Sequence, residues 1–343
     1  MRNFKKHILY QEDVHNILNT IDTDELSGKT FLVTGATGMV GVMLIDVLMK
    51  LPHTKVIAVG RSKAKAQNRL GEYYDNSNFN FIEQDVQVPF SEDLKVDYII
   101  PLASNTHPMA YSQYPIETML INMEGARNAL DLAVSSNATV IYPSSVEIYG
   151  NSEEGHFFVE NSNGKLNLAN SRACYTESKR SCEALCQSYK SERNVKIKIV
   201  RLCRIFGPTM LMSDTKASSQ FIIKAINNED IVLKSEGNQY FSYIYVADAV
   251  AAILYVLLKG QDGEAYNISN LDTNVHLKDF ANQCALYNNK KVLFDLPSEA
   301  EKKGFSIAST AILINDKLLS LGFVPLYNLR EGIRRTIEIL KTK

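Results

Sequence analysis

The sequence predicts an α/β fold, a doubly wound parallel sheet followed by a smaller C-terminal lobe, and three observations carry that expectation. A strand-like run at 30–33 leads through the glycine-rich turn Thr34-Gly35-Ala36-Thr37-Gly38-Met39-Val40-Gly41 into an apolar helical stretch ending near Leu48. Further strand-like runs at 55–59, 80–82, 98–102, 139–142 and 196–202 mostly alternate with helical patterns, the order expected when crossover helices cover a parallel sheet. After Pro208 the alternation becomes less regular, which marks the second lobe.

Residues 1–28 precede the first strand, and Val14, Leu18 and Ile21 recur at helical spacing, so this stretch reads as an amphipathic helical extension lying on the body or on a partner subunit. Residues 29–203 read as a dinucleotide-binding domain and 204–343 mainly as a substrate lobe, with about 243–270 returning to the first domain. In the glycine turn, Gly35, Gly38 and Gly41 suit a tight bend, a close backbone approach to a pyrophosphate and helix-to-strand packing. Thr37, Met39 and Val40 would then bring their backbone to the same phosphates, at a helix N-terminus. A turn that only joins strand to helix is the alternative. The ligand is expected at the carboxyl ends of the strands, beneath the second lobe.

Composition narrows the function. Of 343 residues, 45% are apolar and 22% charged, and the formal net charge is −1, so the chain is globular and lacks the basic footprint of a nucleic-acid binder. Small molecules are the expected partners. The five cysteines are odd in number and form no CxxC pair, which fits a reducing, cytoplasmic setting and no structural metal. Cys182 and Cys186 share a helix face and read as small buried apolar side chains. No stretch is apolar and long enough to span a bilayer, so no membrane partner is expected.

Tyr175 and Lys179 lie four residues apart in a helical stretch, so phenol and ammonium project from one face. A cation there could stabilise phenolate and bring a pKa of about 10 towards working pH. That makes Tyr175 a candidate proton shuttle at a sugar hydroxyl. Such a pair recurs by chance on many helices, and it is the upstream glycine turn that gives this one a redox context.

Six further segments appear in order: Pro101-Leu102-Ala103-Ser104, Asn122-Met123-Glu124-Gly125, Pro143-Ser144-Ser145-Val146-Glu147-Ile148-Tyr149-Gly150, Arg201-Leu202-Cys203-Arg204-Ile205-Phe206-Gly207-Pro208, Tyr245-Val246-Ala247-Asp248 and Leu321-Gly322-Phe323-Val324-Pro325. With these, nearly everything from Lys29 to Thr342 resembles an extended short-chain dehydrogenase/reductase of the nucleotide-sugar epimerase, dehydratase and decarboxylase group. The likeness is greatest to UDP-glucuronate decarboxylases, carried by residues 111–128, Arg172-Ala173-Cys174-Tyr175 with Lys179-Arg180, and Phe206-Gly207-Pro208 with Met210, Met212 and Asp214. The resemblance implies a Rossmann-type fold, tightly bound NAD or NADP, and a nucleotide sugar, UDP-linked, as substrate. It also implies a homodimer formed through helices at about 116–135 and 173–192, with Leu120, Met123, Leu185 and Tyr189 as apolar contacts.

By the same resemblance Ser145 hydrogen-bonds the reacting hydroxyl, Tyr175 removes its proton, and Lys179 holds the nicotinamide ribose and tunes the phenol. Asn122 supports the helix carrying them, Asp85 with Val86 meets the adenine, and Leu102, Ala103 and Ser104 line the cofactor. Ser104 and Asn105 face the substrate as well. Glu147 discriminates among reactions: a carboxylate beside the sugar can act as a base or orient water once C4 is oxidised, and simple 4-epimerases lack it. Val146 stands where many 4,6-dehydratases carry an Asp, which disfavours that subtype.

Two departures put the substrate in question: Arg204 stands where the decarboxylases carry Asn, and Phe241 where they carry a diphosphate-clamping Arg. Arg204 could replace that clamp, pair with a substrate carboxylate, or serve the structure alone. The second strand ends in Gly60-Arg61 rather than an acid, so Arg61 suits the 2′-phosphate of NADP while the resemblance points to NAD. The leading expectation is decarboxylation of a nucleotide-linked uronic acid after oxidation at C4. Epimerisation or 4,6-dehydration follows, then a one-way 4-ketoreductase, and a non-catalytic dinucleotide sensor is the competing class.

Overall fold

The computed structural model describes residues 4–106, 108–150, 157–296 and 310–341, so the outermost ends of the 1–28 and 204–343 spans lie outside the described residues. The chain opens with α1 (Ile8–Thr20) and α2 (Thr23–Leu26), then builds β1 (Thr30–Thr34), α3 (Met39–Leu48), β2 (Lys55–Gly60), α4 (Lys63–Leu70), β3 (Phe79–Glu83) and β4 (Tyr98–Pro101). Two consecutive helices, α5 (Pro108–Gln113) and α6 (Pro115–Ser136), lead to β5 (Thr139–Ser145), and α7 (Ala173–Arg193) leads to β6 (Lys196–Leu202). The second half contributes β7 (Arg204–Phe206), α8 (Ala217–Ile226), β8 (Ile231–Leu233), β9 (Tyr240–Tyr245), α9 (Val246–Lys259), β10 (Ala265–Ile268), β11 (Asn274–His276), α10 (Leu277–Leu286), β12 (Val292–Phe294), β13 (Thr310–Ala311), α11 (Asp316–Ser320) and α12 (Leu329–Lys341).

Seven strands form one parallel sheet in the order β10-β6-β5-β4-β1-β2-β3. Its central strands β1, β4 and β5 are buried on both faces, as helix-covered parallel sheets require, whereas the burial of β3 and β6 is mixed. Strand order reverses between β1 and β4, and the crevice outside their carboxyl ends is where such sheets bind ligands. The strands lie where the sequence puts them, with β5 running on to Ser145 and β10 completing the sheet. A smaller sheet, β11-β9-β13 with β7 on β9, sits above, and β12 pairs with β8.

The N-terminal extension is built into the body. In α1 the side chains of Tyr10, Val14 and Ile17 are buried, each worth roughly 1.5–3 kcal/mol in area removed from water. Asp13, 0% exposed, receives hydrogen bonds from Arg335 Nε at 2.8 Å and from the Tyr245 phenol at 2.5 Å. Lys5 Nζ lies 2.6 Å from the buried Asp46 carboxylate on α3. The Asp13 bonds fix α1 against α12 and β9, and Lys5 ties the turn before α1 to α3.

Candidate active site

Two long helices set the reaction centre. Pro115 opens α6, where its missing N–H costs nothing, and Asn137 closes it in the left-handed region at φ 53°. Asn194 closes α7 in the same way at φ 56°. A polar chain joins them: Asn122 Nδ2 donates to Ser178 Oγ at 2.8 Å, and Ser178 Oγ donates to the Tyr175 carbonyl at 2.9 Å. Asn122 therefore steadies the turn of α7 that carries Tyr175.

Tyr175 is 7% exposed. Burial pushes its phenol up to about 12; hydrogen bonds from Ser145 and Tyr111 pull it down, and the Glu147 charge pushes it up. The expected lowering by Lys179 is thus not seen in the protein alone. The reason is geometric: Lys179 Nζ donates to the Pro143 carbonyl at 2.8 Å and sits 4.9 Å from the centre of the Tyr142 ring, so its charge serves the end of β5. Burial lowers the Lys179 pKa.

Ser145 ends β5 and does two things. Its Oγ accepts the Glu147 N–H at 3.2 Å, capping the 3-10 turn Val146–Tyr149, and its hydroxyl stands close enough to the Tyr175 phenol to pull that pKa down. The turn holding Glu147 is pinned from behind. Arg180 Nε donates to the Ile148 carbonyl at 2.6 Å, Arg201 Nη1 donates to Tyr149 Oη at 2.8 Å, and Tyr149 Oη donates to Asn267 Oδ1 at 2.6 Å. Arg201 is itself held by Glu183 at 3.0 and 2.7 Å.

Sheet register brings Arg204 to this centre. Ser145 pairs with Leu202 across β5 and β6, and two residues further along each chain stand Glu147 and Arg204. Arg204 Nη2 lies 3.5 Å from Glu147 Oε1, with side chains 28% and 49% exposed. On β9, Phe241 lies two residues before Tyr243, the partner of Arg204, and so shares its face. The guanidinium carbon stands 3.5 Å from the Phe241 ring centre.

The glycine turn fits a dinucleotide. Gly35 has φ +61°, and a Cβ there would come within 2.8 Å of the Ala103 amide and the Leu102 carbonyl carbon, while one on Gly41 would meet the Gly35 carbonyl at 2.6 Å. Only glycine lets β1, α3 and the end of β4 approach so closely. No side chain caps α3 at Gly38, which leaves the N–H groups of its first turn, including Met39 and Val40, to an anion. Thr34 Oγ1 accepts the Ala103 N–H at 3.0 Å. Buried Asn122 Oδ1, Tyr142 Oη and Ser144 Oγ have no hydrogen-bond partner among the described residues. Such a set of orphaned polar atoms beside a glycine cradle suits a polar ligand.

The remaining expected residues take plainer places. Asp85 Oδ1 caps its own turn through the Gln87 N–H at 3.0 Å, and its other oxygen lies 3.9 Å from Arg61 Nη1, whose side chain is largely exposed. The Val86 carbonyl receives Asn128 Nδ2 at 2.8 Å. Ser104 Oγ donates to the Asn105 carbonyl at 3.3 Å, and Asn105 Nδ2 donates to Thr118 Oγ1 at 3.3 Å. The structure thus gathers Ser145, Glu147, Tyr175 and Arg204 at one end of the cleft and leaves Arg61 with Asp85 near its rim. Sequence reasoning assigned no role to Tyr111, whose ring stacks on Tyr175, or to Thr34; no spacing signals either contact.

A glycine-cradled parallel sheet with a buried Ser ending a strand and a buried Tyr and Lys on α7 defines a Rossmann-type dinucleotide-dependent protein. The family model described as "NAD dependent epimerase/dehydratase family" matches residues 31–269, and the chain belongs to that family. UDP-glucuronic acid decarboxylase 1 from Danio rerio is 30% identical over 318 residues, covering 92% of this chain and 73% of that protein. UDP-glucuronic acid decarboxylase 2 from Arabidopsis thaliana is 32% identical over 243 residues, or 71% and 54% of the two chains. Among solved structures, UDP-glucose 4-epimerase from Thermotoga maritima superposes with a TM-score of 0.77 at 21% identity, covering 90% of this chain and 98% of that one. UDP-glucuronic acid 4-epimerase from Bacillus cereus, in complex with UDP-glucuronic acid and NAD, gives 0.77 at 19% identity, covering 91% and 99%. At these identities the solved structures establish the fold.

Proposed function

We propose that the protein is a nucleotide-sugar decarboxylase that binds NAD and acts on a UDP-linked uronic acid. The observation that carries this is the position of Glu147: a half-exposed carboxylate that shares a capped turn with Ser145, beside the Tyr175 phenol. The names of the relatives at about 30% identity support the substrate, and the family description supports NAD over the NADP that Arg61 suggested.

Gly35, Gly38, Met39, Val40 and Gly41 would take the pyrophosphate, and Lys179 and Tyr175 the nicotinamide end. When bound, the dinucleotide supplies a hydride acceptor for C4 of the sugar and gives the hydride back, so the net change is redox-neutral. Ser145 and Tyr175 orient the C4 hydroxyl, and Tyr175 takes its proton. Glu147 stands next to that hydroxyl to orient water or move a proton at C5 while the carboxyl group leaves. A 4-epimerase would need Tyr175 and Ser145 but not Glu147.

The test is product analysis by mass spectrometry over UDP-, dTDP-, GDP- and CDP-sugars, with NAD or NADP added. A nucleotide pentose from UDP-glucuronate alone is expected; an epimer or a dehydrated sugar would replace this reading with one of its alternatives.

The reading includes a homodimer. On α6, Ile116 is 75% exposed and Met119 and Leu120 project beside it, whereas Met123, Leu185 and Tyr189 pack into their own core. Exposed apolar side chains along a long helix suit a second copy. Light scattering at micromolar concentration should give twice the chain mass. All five cysteines are buried thiols, which suits the cytoplasmic setting read from the sequence. Among the described residues, no helix is long and apolar enough to cross a membrane.

A further inference from the structure

Arg204 is set up as a receptor and is only partly used by the protein. Its guanidinium lies flat against Phe241 at 3.5 Å from the ring centre, which fixes its plane without consuming a donor. One end, Nη2, reaches Glu147 at a long 3.5 Å. The other, Nη1, is buried with no hydrogen-bond partner among the described residues, an expensive state for a cationic donor unless something fills it. Burial lowers the pKa of nearby Lys216, the Asp214 carboxylate raises it, and Arg204 lowers it by less.

We propose that Arg204, held in plane by Phe241, binds the carboxylate of the sugar acid and releases Glu147 as it does so. The inference rests on the reading of the site as a uronic-acid decarboxylase and assigns the residue that recognises the acid. Geometry favours the sugar carboxylate over the diphosphate. Arg204 reaches this centre because β6 ends beside β5, two residues past the Leu202–Ser145 pair, and Ser145 touches the phenol that handles the C4 hydroxyl. In a hexuronic acid the carboxylate is attached to C5, next to C4, whereas the diphosphate leaves from C1 across the ring. A planar fork also matches a carboxylate with two parallel N–H bonds, which a lysine cannot do. Glu147 is then a place-holder in the free protein. Once the substrate carboxylate takes the guanidinium, Glu147 is free to face the reacting carbons. Phe241 acts through Arg204 and is a positioning residue.

The test compares UDP-glucuronate with UDP-glucose, which lacks the carboxylate, on the full-length protein supplied with NAD. Calorimetry gives Kd for both, and steady-state kinetics give kcat and KM for UDP-glucuronate. For Arg204→Gln, affinity for UDP-glucuronate should fall by about 10- to 100-fold, the worth of charge-assisted hydrogen bonds, while that for UDP-glucose changes by less than about threefold. Phe241→Leu should raise KM for UDP-glucuronate with kcat within about twofold, and Phe241→Tyr should restore it. Equal losses for both sugars would assign Arg204 to the diphosphate, and no loss for either would make it a structural partner of Glu147; either result overturns the proposal. Should Arg204→Gln fail to fold, Arg204→Lys and the Phe241 pair decide by the same comparison. Wild-type protein that binds UDP-glucuronate in preference to UDP-glucose but never decarboxylates it would refute the proposed function and leave the receptor standing. Decarboxylation with the preference intact in Arg204→Gln would do the reverse.

Discussion

The Tyr175 ring lies face to face with the Tyr111 ring, centroids 4.6 Å apart and planes 16° from parallel. The stack excludes water from one side of the phenol, and the Tyr111 hydroxyl beside it pulls the Tyr175 pKa down. Tyr111→Phe keeps the stack and removes the hydroxyl. The Tyr175 pKa should therefore rise, and the acid limb of the kcat/KM profile should move to higher pH by about 1–2 units, the equivalent of one hydrogen bond to a charged group. An unmoved limb would remove Tyr111 from the proton-transfer site.

Asn122 offers a separate check on how α6 steadies α7. Asn122→Ala deletes the bond to Ser178 and leaves that hydroxyl without its donor. We expect a loss of about 1–2 kcal/mol in urea unfolding and a fall in kcat larger than the change in KM, because the Tyr175 backbone is what moves.

The N-terminal extension should be essential to stability. Arg335, 6% exposed in its side chain, lies 2.8 Å from Asp13, which is fully buried. Arg335→Met would strand the Asp13 charge, and breaking a buried pair from one side costs about 3–5 kcal/mol. Arg335→Met combined with Asp13→Asn should recover part of that loss in thermal unfolding; no recovery would show that the pair is not the source.

Much of this was legible in advance, for physical reasons. Strands β1, β2 and β4 announce themselves as apolar runs because helices cover both faces, and Gly35 and Gly41 are forced by backbone approaches that no other residue allows. Tyr175 and Lys179 share a helix face by the period of the helix. What the period does not reveal is where a flexible ammonium turns, and Lys179 turns to the Pro143 carbonyl. The Arg204–Phe241 stack was equally hidden, since it depends on the chain leaving the large sheet after Leu202 and joining the small one beside β9. Stacking of Tyr111 on Tyr175 follows from how α5 lies over α7, which local sequence does not encode.

Asp248 gives a pH dependence with a definite sign. It accepts the Leu326 and Tyr327 N–H groups at 2.8 and 3.0 Å, yet burial pushes its pKa up to about 7. The unfolded value is about 3.9, so its contribution to stability is fully present below about pH 4 and is lost as pH rises through about 7. The stability difference between wild type and Asp248→Asn, from urea midpoints, should therefore shrink as pH is raised across that window. A difference that grows would mean the carboxylate is charged in the fold throughout.

The most direct test follows carbon dioxide released from UDP-glucuronate labelled in its carboxyl carbon, with wild type, Tyr175→Phe and Glu147→Gln run in parallel on NAD-supplied protein. Wild type should release label, and each variant should slow that release by about 10²- to 10⁴-fold, the range for a lost acid/base group. Release at the wild-type rate from Glu147→Gln would make that residue structural, and no release from wild type on any UDP-linked uronic acid would contradict decarboxylation itself.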